Sequence, residues 1–284
     1  MFNNTKPNFP PIFRRQQSKR AAKQGKTVAI LGKRQKFIIA VIVLSIGLFL
    51  SEYLFNRFGF FVSFFLGALT DILLFWTLQR DLKENFSPQV FVLPFLYSLS
   101  FEQFYFLAPA RLITRIVITT LYAVGLYSLF LSENIFIVAS IRTIALLNGA
   151  RIVSFVITLV SYFFLTNIIF SLRTSIFLTS LILFFITFLF ILQSIWTYTL
   201  DRDVKKNSIW IGILSMCLFE LGVILWFWPA TPTVLALFMT GSFYTLVGLS
   251  HVWLDKRLFK GILWEYIWVA IFSFFILMWF TQWQ

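Results

Sequence analysis

Apolar stretches of about 20 residues recur along this chain from Phe37 to Gln284, and short polar links separate them. The hydrocarbon core of a bilayer is about 30 Å thick, and an α-helix crosses it with about 20 residues. Strands of a membrane β-barrel would be about ten residues long and would alternate apolar with polar positions. The pattern therefore predicts transmembrane helices. We place nine of them, at Phe37–Phe55, Phe58–Leu78, Val90–Leu107, Leu112–Leu131, Arg151–Phe170, Ser175–Leu200, Ser208–Trp228, Thr233–Trp253 and Ile262–Trp279.

The polar segments predict how these helices are oriented. A tail of 36 residues precedes the first span and contains ten Lys or Arg and no acidic residue. Basic residues flanking membrane helices stay on the cytoplasmic side, which places the tail inside and, after nine crossings, the C-terminus outside. Alternate links then face the cytoplasm, and these are the basic ones. They contain Arg80 and Lys83, then Arg202, Lys205 and Lys206, then Lys256, Arg257 and Lys260.

Two segments depart from a plain apolar span. Val90–Leu107 contains Pro94 and Glu102, and we expect it to be kinked or re-entrant because proline removes a helix hydrogen bond. Ile135–Ala150 contains Arg142 and, at about 1.5 Å per residue, is too short for a full crossing. A crossing there would also move every later basic link to the outside. We therefore expect Ile135–Ala150 to be an interfacial or half-inserted helix on the cytoplasmic side.

Composition supports a membrane location and narrows the partners. Hydrophobic residues make up 59% of the chain and charged residues only 12%, against about 25% charged in a soluble domain. The formal charge of +13 lies mostly in the tail and the links, where it favours anionic lipid headgroups over nucleic acid as the partner. We expect residues 1–36 to be a disordered cytoplasmic tail and residues 37–284 to be the membrane domain. The residues expected to contact lipid headgroups are Arg14, Arg15, Lys33, Arg34 and Lys36.

Acidic residues inside the predicted spans are the strongest candidates for function. Asp71, Glu102 and Glu220 fall within the second, third and seventh spans. A charged side chain at the bilayer centre costs at least about 2.5 kcal/mol, so it normally faces a partner or a cavity. These acids either form inter-helix ion pairs that fix the packing, or line a path for a proton, an ion or a lipid headgroup. The candidate cationic partners are Arg111, Arg115, Arg142 and Arg151, with Glu102 expected to pair with Arg111 or Arg115.

The chain lacks the residue sets that metal sites and nucleophilic enzymes use. Cys217 is the only cysteine and His251 the only histidine, so we expect no disulfide and no metal site. Cys217 lies within the seventh span and His251 at the cytoplasmic end of the eighth, so the two are not expected to meet. Gly241, Thr245 and Gly248 have the small-residue spacing that lets two helices approach closely. We expect these three residues to serve packing, and we expect no cofactor.

Two groups of short motifs resemble those of a known family. They are Ser132-Glu133-Asn134-Ile135-Phe136 followed by Ile141-Arg142-Thr143-Ile144, and Trp226-Phe227-Trp228-Pro229-Ala230-Thr231 followed by Leu258-Phe259-Lys260 and Glu265-Tyr266. Through them, most of the region from residue 37 to residue 284 is similar to an uncharacterised family of bacterial multi-span proteins, a domain of unknown function. The resemblance implies a bacterial inner membrane and implies no activity, cofactor or catalytic residue. It draws attention to Glu133, Arg142 and Glu265 as polar positions with a structural role.

The sequence therefore predicts an all-α polytopic transmembrane bundle with nine spans and one interfacial or half-inserted helix. The predicted function is that of a non-enzymatic component of the transporter, channel or assembly kind. The alternative is a membrane-embedded enzyme that acts on lipid, with Asp71, Glu102 or Glu220 as acid or base. A cavity that reaches these acids would favour a transporter or the enzyme. A solid bundle in which they pair with arginine would favour a structural role.

Overall fold

A computed structural model describes residues 32–55, 59–82, 87–109, 111–139, 145–200 and 204–281. Most of these residues are helical and none is in a β-strand. Nine of the described helices are long and apolar enough to cross a membrane. Each coincides with one predicted span, so the predicted all-α multi-span architecture is confirmed for this part of the chain. The helices are α1 (Lys33–Phe55), α2 (Gly59–Leu82), α3 (Val92–Leu107), α4 (Leu112–Ala139), α5 (Leu147–Ser171), α6 (Ile176–Thr199), α7 (Ser208–Trp226), α8 (Pro232–Leu254) and α9 (Lys260–Trp279).

The first irregular segment is a continuous helical crossing. A 3-10 turn, Pro88–Phe91, leads directly into α3, and the two together are long enough to span. Pro94 is the third residue of α3, within the first turn, where backbone N–H groups have no intrahelical partner in any helix. Proline is tolerated in the first turn of an α-helix, and α3 continues past Pro94 to Leu107. The expected re-entrant turn is not formed.

The second irregular segment, Ile135–Ala150, is divided between two long helices. Helix α4 continues through Ala139, and α5 begins at Leu147. Residues 140–144, which include Arg142, lie outside the described residues. The rest of this segment contains no separate half-inserted helix, so that prediction is wrong for it. The reason is the length of α4, whose 28 residues extend about 42 Å and exceed a hydrocarbon core of about 30 Å.

Short links make successive helices antiparallel. Contacts between helix ends show this order, since Arg151 at the start of α5 bonds to the carbonyls of Thr197 and Tyr198 at the end of α6. Likewise, Trp228 after α7 bonds to Thr281 after α9. We call the membrane side at which α5 begins and α8 ends the near face. The opposite side, at which α5 ends and α8 begins, is the far face. The charge pattern of the sequence predicts that the near face is cytoplasmic.

Helix α5 is the most central element of the bundle. It packs against α3, α4, α6 and α8, while α2 packs on α3, α7 on α6, and α9 on α8. Leucine is the most frequent residue of the bundle core, and Tyr97, Tyr122 and Tyr162 are among the largest side chains that are fully buried. Exposed apolar side chains such as Phe61 cover the outside, as expected for helices surrounded by lipid. Because lipid is as apolar as these side chains, close packing and hydrogen bonds must hold the helices together.

Small residues bring α8 and α9 into close contact. A Cβ atom at Gly241 would lie 2.7 Å from the Cβ atom of Ser273, and one at Gly248 would overlap the ring of Tyr266. Real Cβ atoms do not approach other heavy atoms this closely. The predicted packing role of Gly241 and Gly248 is therefore confirmed.

Candidate functional site

Two glutamates with fully buried side chains lie toward opposite faces of the bundle. Glu102 is five residues before the far-face end of α3, and Glu133 is six residues before the near-face end of α4. These positions lie about 8 Å and about 9 Å inside the ends of their helices. Among the described residues, neither oxygen of Glu102 has a partner within hydrogen-bonding distance, although the Ser51 hydroxyl of α1 is near enough to interact with it, and Glu133 Oε2 has no partner. Both are therefore carboxyl groups held in an apolar interior without a described cation to balance a charge.

Three hydroxyl groups form a hydrogen-bonded chain at intermediate depth. Thr70 of α2 shares a hydrogen bond of 2.7 Å with Ser98 of α3, and Ser98 shares one of 2.9 Å with Tyr122 of α4. The Thr70 hydroxyl also donates to the carbonyl of Leu66 at 2.9 Å. A hydroxyl has one proton to donate, so Ser98 donates to Thr70, and Tyr122 donates to Ser98. These hydrogen bonds therefore run in one direction, from Tyr122 through Ser98 to Thr70. The oxygen of Tyr122 remains able to accept a proton.

Tyr97 holds α3 and α4 in the register that this chain requires. Its hydroxyl donates to the carbonyl of Tyr122 at 3.0 Å, and the two rings stack with centroids 5.5 Å apart. A Cβ atom at Gly125 of α4 would overlap the Tyr97 hydroxyl. The glycine therefore permits the close approach of the two helices, and the tyrosine pair fixes it.

On the near-face side, Glu133 is bound by an amide. Gln193 Nε2 of α6 donates to Glu133 Oε1 at 3.1 Å, and both side chains are fully buried. The Oε1 atom of Gln193 has no hydrogen-bond partner in the described chain. Because the pair joins α4 to α6 through polar atoms in an apolar interior, it ties the positions of these helices to one another.

Asp71 is a third intramembrane acid in this region of the bundle. It follows Thr70 on α2, is half-buried, and has one buried carboxyl oxygen without a partner among the described residues. Asp71 lies close enough to Glu133 for an electrostatic interaction, as Glu102 does to the Tyr122 hydroxyl, but no hydrogen bond joins either pair in the described structure. Glu102 lies toward the far face, the hydroxyl chain and Asp71 at intermediate depth, and Glu133 with Gln193 toward the near face, and we call this set the polar line. It consists of Glu102, Tyr122, Ser98, Thr70, Asp71, Glu133 and Gln193.

The polar line contains groups that can both donate and accept protons. Hydroxyls do so, and a carboxyl group does so as it changes between its acid and its base forms. Counted at about 1.5 Å per helical residue from the far-face ends of α3 and α4, Glu102 and Glu133 lie about 24 Å apart in depth. Intramembrane acids of this kind typically mark ion pathways and proton relays. Within the described structure, the hydrogen-bonded part that can pass a proton is the chain from Tyr122 through Ser98 to Thr70.

Glu220, in contrast, is not buried. It is exposed on the surface of α7, as are Met216 and Cys217, one turn earlier on the same helix. Its carboxylate forms no hydrogen bond or ion pair with any other described residue. The expectation that Glu220 faces a partner or cavity inside the bundle is wrong. The helical phase of α7 places position 220 away from the faces that pack on α6 and α8.

The predicted arginine partners do not pair with the buried acids. Glu102 is not bonded to Arg111 or Arg115, because neither of its oxygens has a partner in the described chain. Arg111 is exposed and Arg115 half-buried at the far-face start of α4. Among the predicted headgroup ligands, Lys33 and Arg34 are exposed at the start of α1, and Lys36 is half-buried. The candidates that lie outside the described residues are Arg14, Arg15 and Arg142.

Arg151 has partners other than the intramembrane acids. Its guanidinium donates to the carbonyls of Thr197 and Tyr198 at 3.2 and 2.7 Å, and it lies 3.5 Å from the Asp255 carboxylate. The same group stacks over the Tyr198 ring at 4.6 Å. The last carbonyls of a helix have no intrahelical donor, so Arg151 of α5 caps the near-face end of α6. The ion pair with Asp255 also ties Arg151 to the end of α8. We call this set of Arg151 contacts the clamp.

The only histidine of the chain adjoins this clamp. His251 is buried, lies 3.0 Å from the hydroxyl of Ser194 through Nε2, and stacks on the ring of Tyr198 at 3.8 Å. In the described part of the chain, no three His, Cys, Asp or Glu side chains gather as a metal site. The near-face cluster is accordingly best understood as a structural joint between α5, α6 and α8.

Sequence reasoning missed most of the polar line. Thr70, Ser98 and Tyr122 resemble the many other hydroxyl residues of the spans, and only tertiary contacts bring them together. A signal was present for Gln193, since it is the one amide in α6, a helix without charged residues. Glu133 was singled out only through the resemblance of the motif around it.

Comparison with curated proteins and with solved structures finds no match for this chain. A family model does match, and it covers residues 37–280, which include all of α2 to α9 and the whole polar line. The description of this family assigns no function. The short motifs that resemble the family likewise imply no activity. The chain therefore belongs to the family described as protein of unknown function (DUF5656).

Proposed function

We propose that this multi-pass membrane protein transfers protons across its membrane along the polar line, as part of a transporter-like activity. The observation that supports the proposal is the placement of Glu102 and Glu133. Both are fully buried and lack a described cationic partner, yet they lie toward opposite faces with hydroxyl groups and Asp71 between them. An acid placed this way is costly to the fold. A role in proton transfer accounts for that cost.

The second part of the proposal concerns location and orientation. We infer a bacterial inner membrane, with the near face and the N-terminus in the cytoplasm and the C-terminus outside. The support is the excess of Lys and Arg in the tail and in alternate links, which is the pattern of cytoplasmic segments. The same charges suit contact with anionic lipid headgroups at the cytoplasmic surface.

The alternative, an enzyme acting on lipid through Asp71, Glu102 or Glu220, receives less support. Glu220 is exposed on α7, whereas Asp71 is on α2, which packs on α3. None of the three cavities described for this bundle has a carboxylate among its lining residues. A general acid and base pair must meet at one accessible site, and these three residues do not.

The test is a flux measurement in liposomes. Purified protein is reconstituted with a pH-sensitive dye inside, and a potassium diffusion potential provides the driving force. Wild type is expected to acidify or alkalinise the lumen faster than protein-free liposomes, according to the sign of the potential. Glu102→Gln and Glu133→Gln are expected to abolish the difference, because an amide keeps the shape and polarity of the side chain but does not exchange a proton with the line.

The matched control is Glu265→Gln, which removes an acid from the exposed surface of α9 and should leave flux unchanged. Equal flux in wild type, Glu102→Gln and Glu133→Gln would refute the proposal, as would wild-type flux equal to that of empty liposomes. Mass spectrometry of the liposome lipids after the same incubation tests the alternative. Chemically altered lipid without proton flux would favour the enzyme.

A further inference from the structure

A cavity of about 540 Å³ opens at the far face of the bundle. It lies among the far-face ends of α5, α6, α7 and α8, and shares no residue with the polar line. Its volume falls within the range of ligand pockets, about 300–1,000 Å³. Its lining includes Phe170, Arg173, Thr179, Trp226, Trp228 and Thr231.

The electrostatic character of this cavity is positive. Arg173 lines it and is exposed, and its guanidinium forms no hydrogen bond or ion pair with any other described residue. None of the lining residues is acidic. The first turns of α6 and α8, which contribute Thr179 and Leu235 to the lining, also contain no acid, and neither helix has a side-chain cap. Helix N-termini carry a partial positive charge, so they add to the charge of Arg173.

The surroundings of the cavity are those of a membrane interface. Trp226 and Trp228 form part of its wall, and the Trp228 indole donates to the Thr281 hydroxyl at 2.8 Å. Adjoining side chains face outward toward lipid, namely Phe177 at 78% exposure and Phe227 at 70%. Tryptophan is typical of the headgroup level of a bilayer. A ligand with an anionic head and apolar chains would therefore contact the cation inside the cavity and the aromatic surface beside it.

We propose that this cavity binds the phosphate-bearing headgroup of an anionic lipid from the far-face leaflet, with Arg173 as the principal ligand. The guanidinium presents several N–H donors in a planar fork that matches phosphate oxygens. The lipid source is favoured over free phosphate because exposed apolar surface lies directly beside the charged cavity. The site is independent of the proposed proton transfer, since the two involve different residues at different depths.

The backbone conformation of Arg173 allows a substitution that removes the charge without straining the chain. Arg173 has φ of 45° and follows the C-cap of α5, a left-handed position that favours glycine. Arg173→Gly therefore removes the cation without a cost to the backbone. Lys256 has φ of 55° at the corresponding position after α8, at the near face. Lys256→Gly is thus a matched control that removes one exposed cation from the same type of helix end on the other side of the membrane.

The experiment measures lipid binding by the two variants and wild type in detergent. Native mass spectrometry and the shift of the unfolding temperature are recorded with phosphatidylglycerol, with zwitterionic phosphatidylcholine and with inorganic phosphate. Wild type and Lys256→Gly are expected to bind phosphatidylglycerol alike, and Arg173→Gly about tenfold or more weakly, as expected for the loss of charged hydrogen bonds. Any lipid bound by the basic tail contributes equally to the three proteins, because none of the substitutions touches it.

Three results would overturn the proposal. Equal phosphatidylglycerol binding by Arg173→Gly and wild type removes Arg173 as the ligand. Equal stabilisation by phosphatidylcholine removes the requirement for an anion. If inorganic phosphate stabilises the protein as much as phosphatidylglycerol does, the ligand of the cavity is a free anion and not a lipid. Arg173→Gly is expected to unfold no more easily than wild type without lipid, so weakened binding cannot be attributed to misfolding.

Discussion

The contact between Glu133 and Gln193 allows a sharp test of whether the polar line is kept for stability or for function. The proposed series is Gln193→Leu, Glu133→Leu and the double variant. Each single substitution leaves one buried polar group without its partner, since the pair is joined only by the 3.1 Å bond from Gln193 Nε2 to Glu133 Oε1 among the described residues. The double variant replaces both groups with apolar side chains of similar volume.

The magnitudes follow from the bond and from the burial. An inter-helix hydrogen bond in a membrane contributes about 0.6 kcal/mol and at most about 1.7 kcal/mol. Leaving a buried polar group unsatisfied costs a further 1–3 kcal/mol or so. We therefore expect each single variant to lose about 2–4 kcal/mol of unfolding free energy. The double variant should regain most of this loss, because removing both partners of a buried pair is often neutral or stabilising. The expected coupling energy is about 2 kcal/mol or more.

The assay is equilibrium unfolding by sodium dodecyl sulfate in mixed micelles, followed by the fluorescence of the ten tryptophans. The coupling energy is the non-additive part of the double-variant cycle. If the two single effects simply add in the double variant, the reasoning about a paired buried contact is refuted. The same proteins are then tested for proton flux. A double variant that is as stable as wild type and yet inactive would show that the pair is kept for function.

Three further predictions concern other parts of the bundle. Arg151→Met should lower the free energy of unfolding by about 2–4 kcal/mol because it uncaps α6. Arg257 is an exposed cation at the same face, and Arg257→Met should have little effect. Chemical unfolding measures both variants. Gly248→Ala should destabilise the α8–α9 contact, whereas Gly212→Ala, which has open space around it, should stabilise α7 by about 0.5–1 kcal/mol. A melting temperature of Gly212→Ala below that of wild type would contradict the expected stabilisation. Glu220→Gln should leave the unfolding curve unchanged, and a loss of flux in that variant would bring Glu220 into the transport mechanism.

Local sequence was sufficient for the nine crossings because each span must satisfy its own backbone in lipid, and its length and apolar content reveal it. It was not sufficient at the two irregular segments. For Val90–Leu107, predicted to be kinked or re-entrant, the re-entrant form is absent, because α3 starts two residues before Pro94 and the proline lies in its first turn. The prediction of a separate helix at Ile135–Ala150 fails because α4 continues through the polar residues Ser132, Glu133 and Asn134, which look like a link in the sequence.

The candidate site was predictable only in part. Asp71 and Glu102 were identified because a lone acid in an apolar span is conspicuous. Their pairing with arginine was not formed, since sequence does not tell which faces of two helices meet. Glu220 shows the same limit: its depth was readable, but its exposure depends on the side of α7 that packs on α6 and α8.

By itself, the sequence determined that this protein is a multi-span helical membrane protein, because the bilayer imposes length and hydrophobicity on every segment separately. Only the tertiary structure decided which polar groups share an environment. It joined Thr70, Ser98 and Tyr122 from three helices, and it placed Arg173 in a cavity formed by the ends of four others. The physical reason is that helix rotation and packing bring together residues far apart in the chain, whereas hydropathy records only depth.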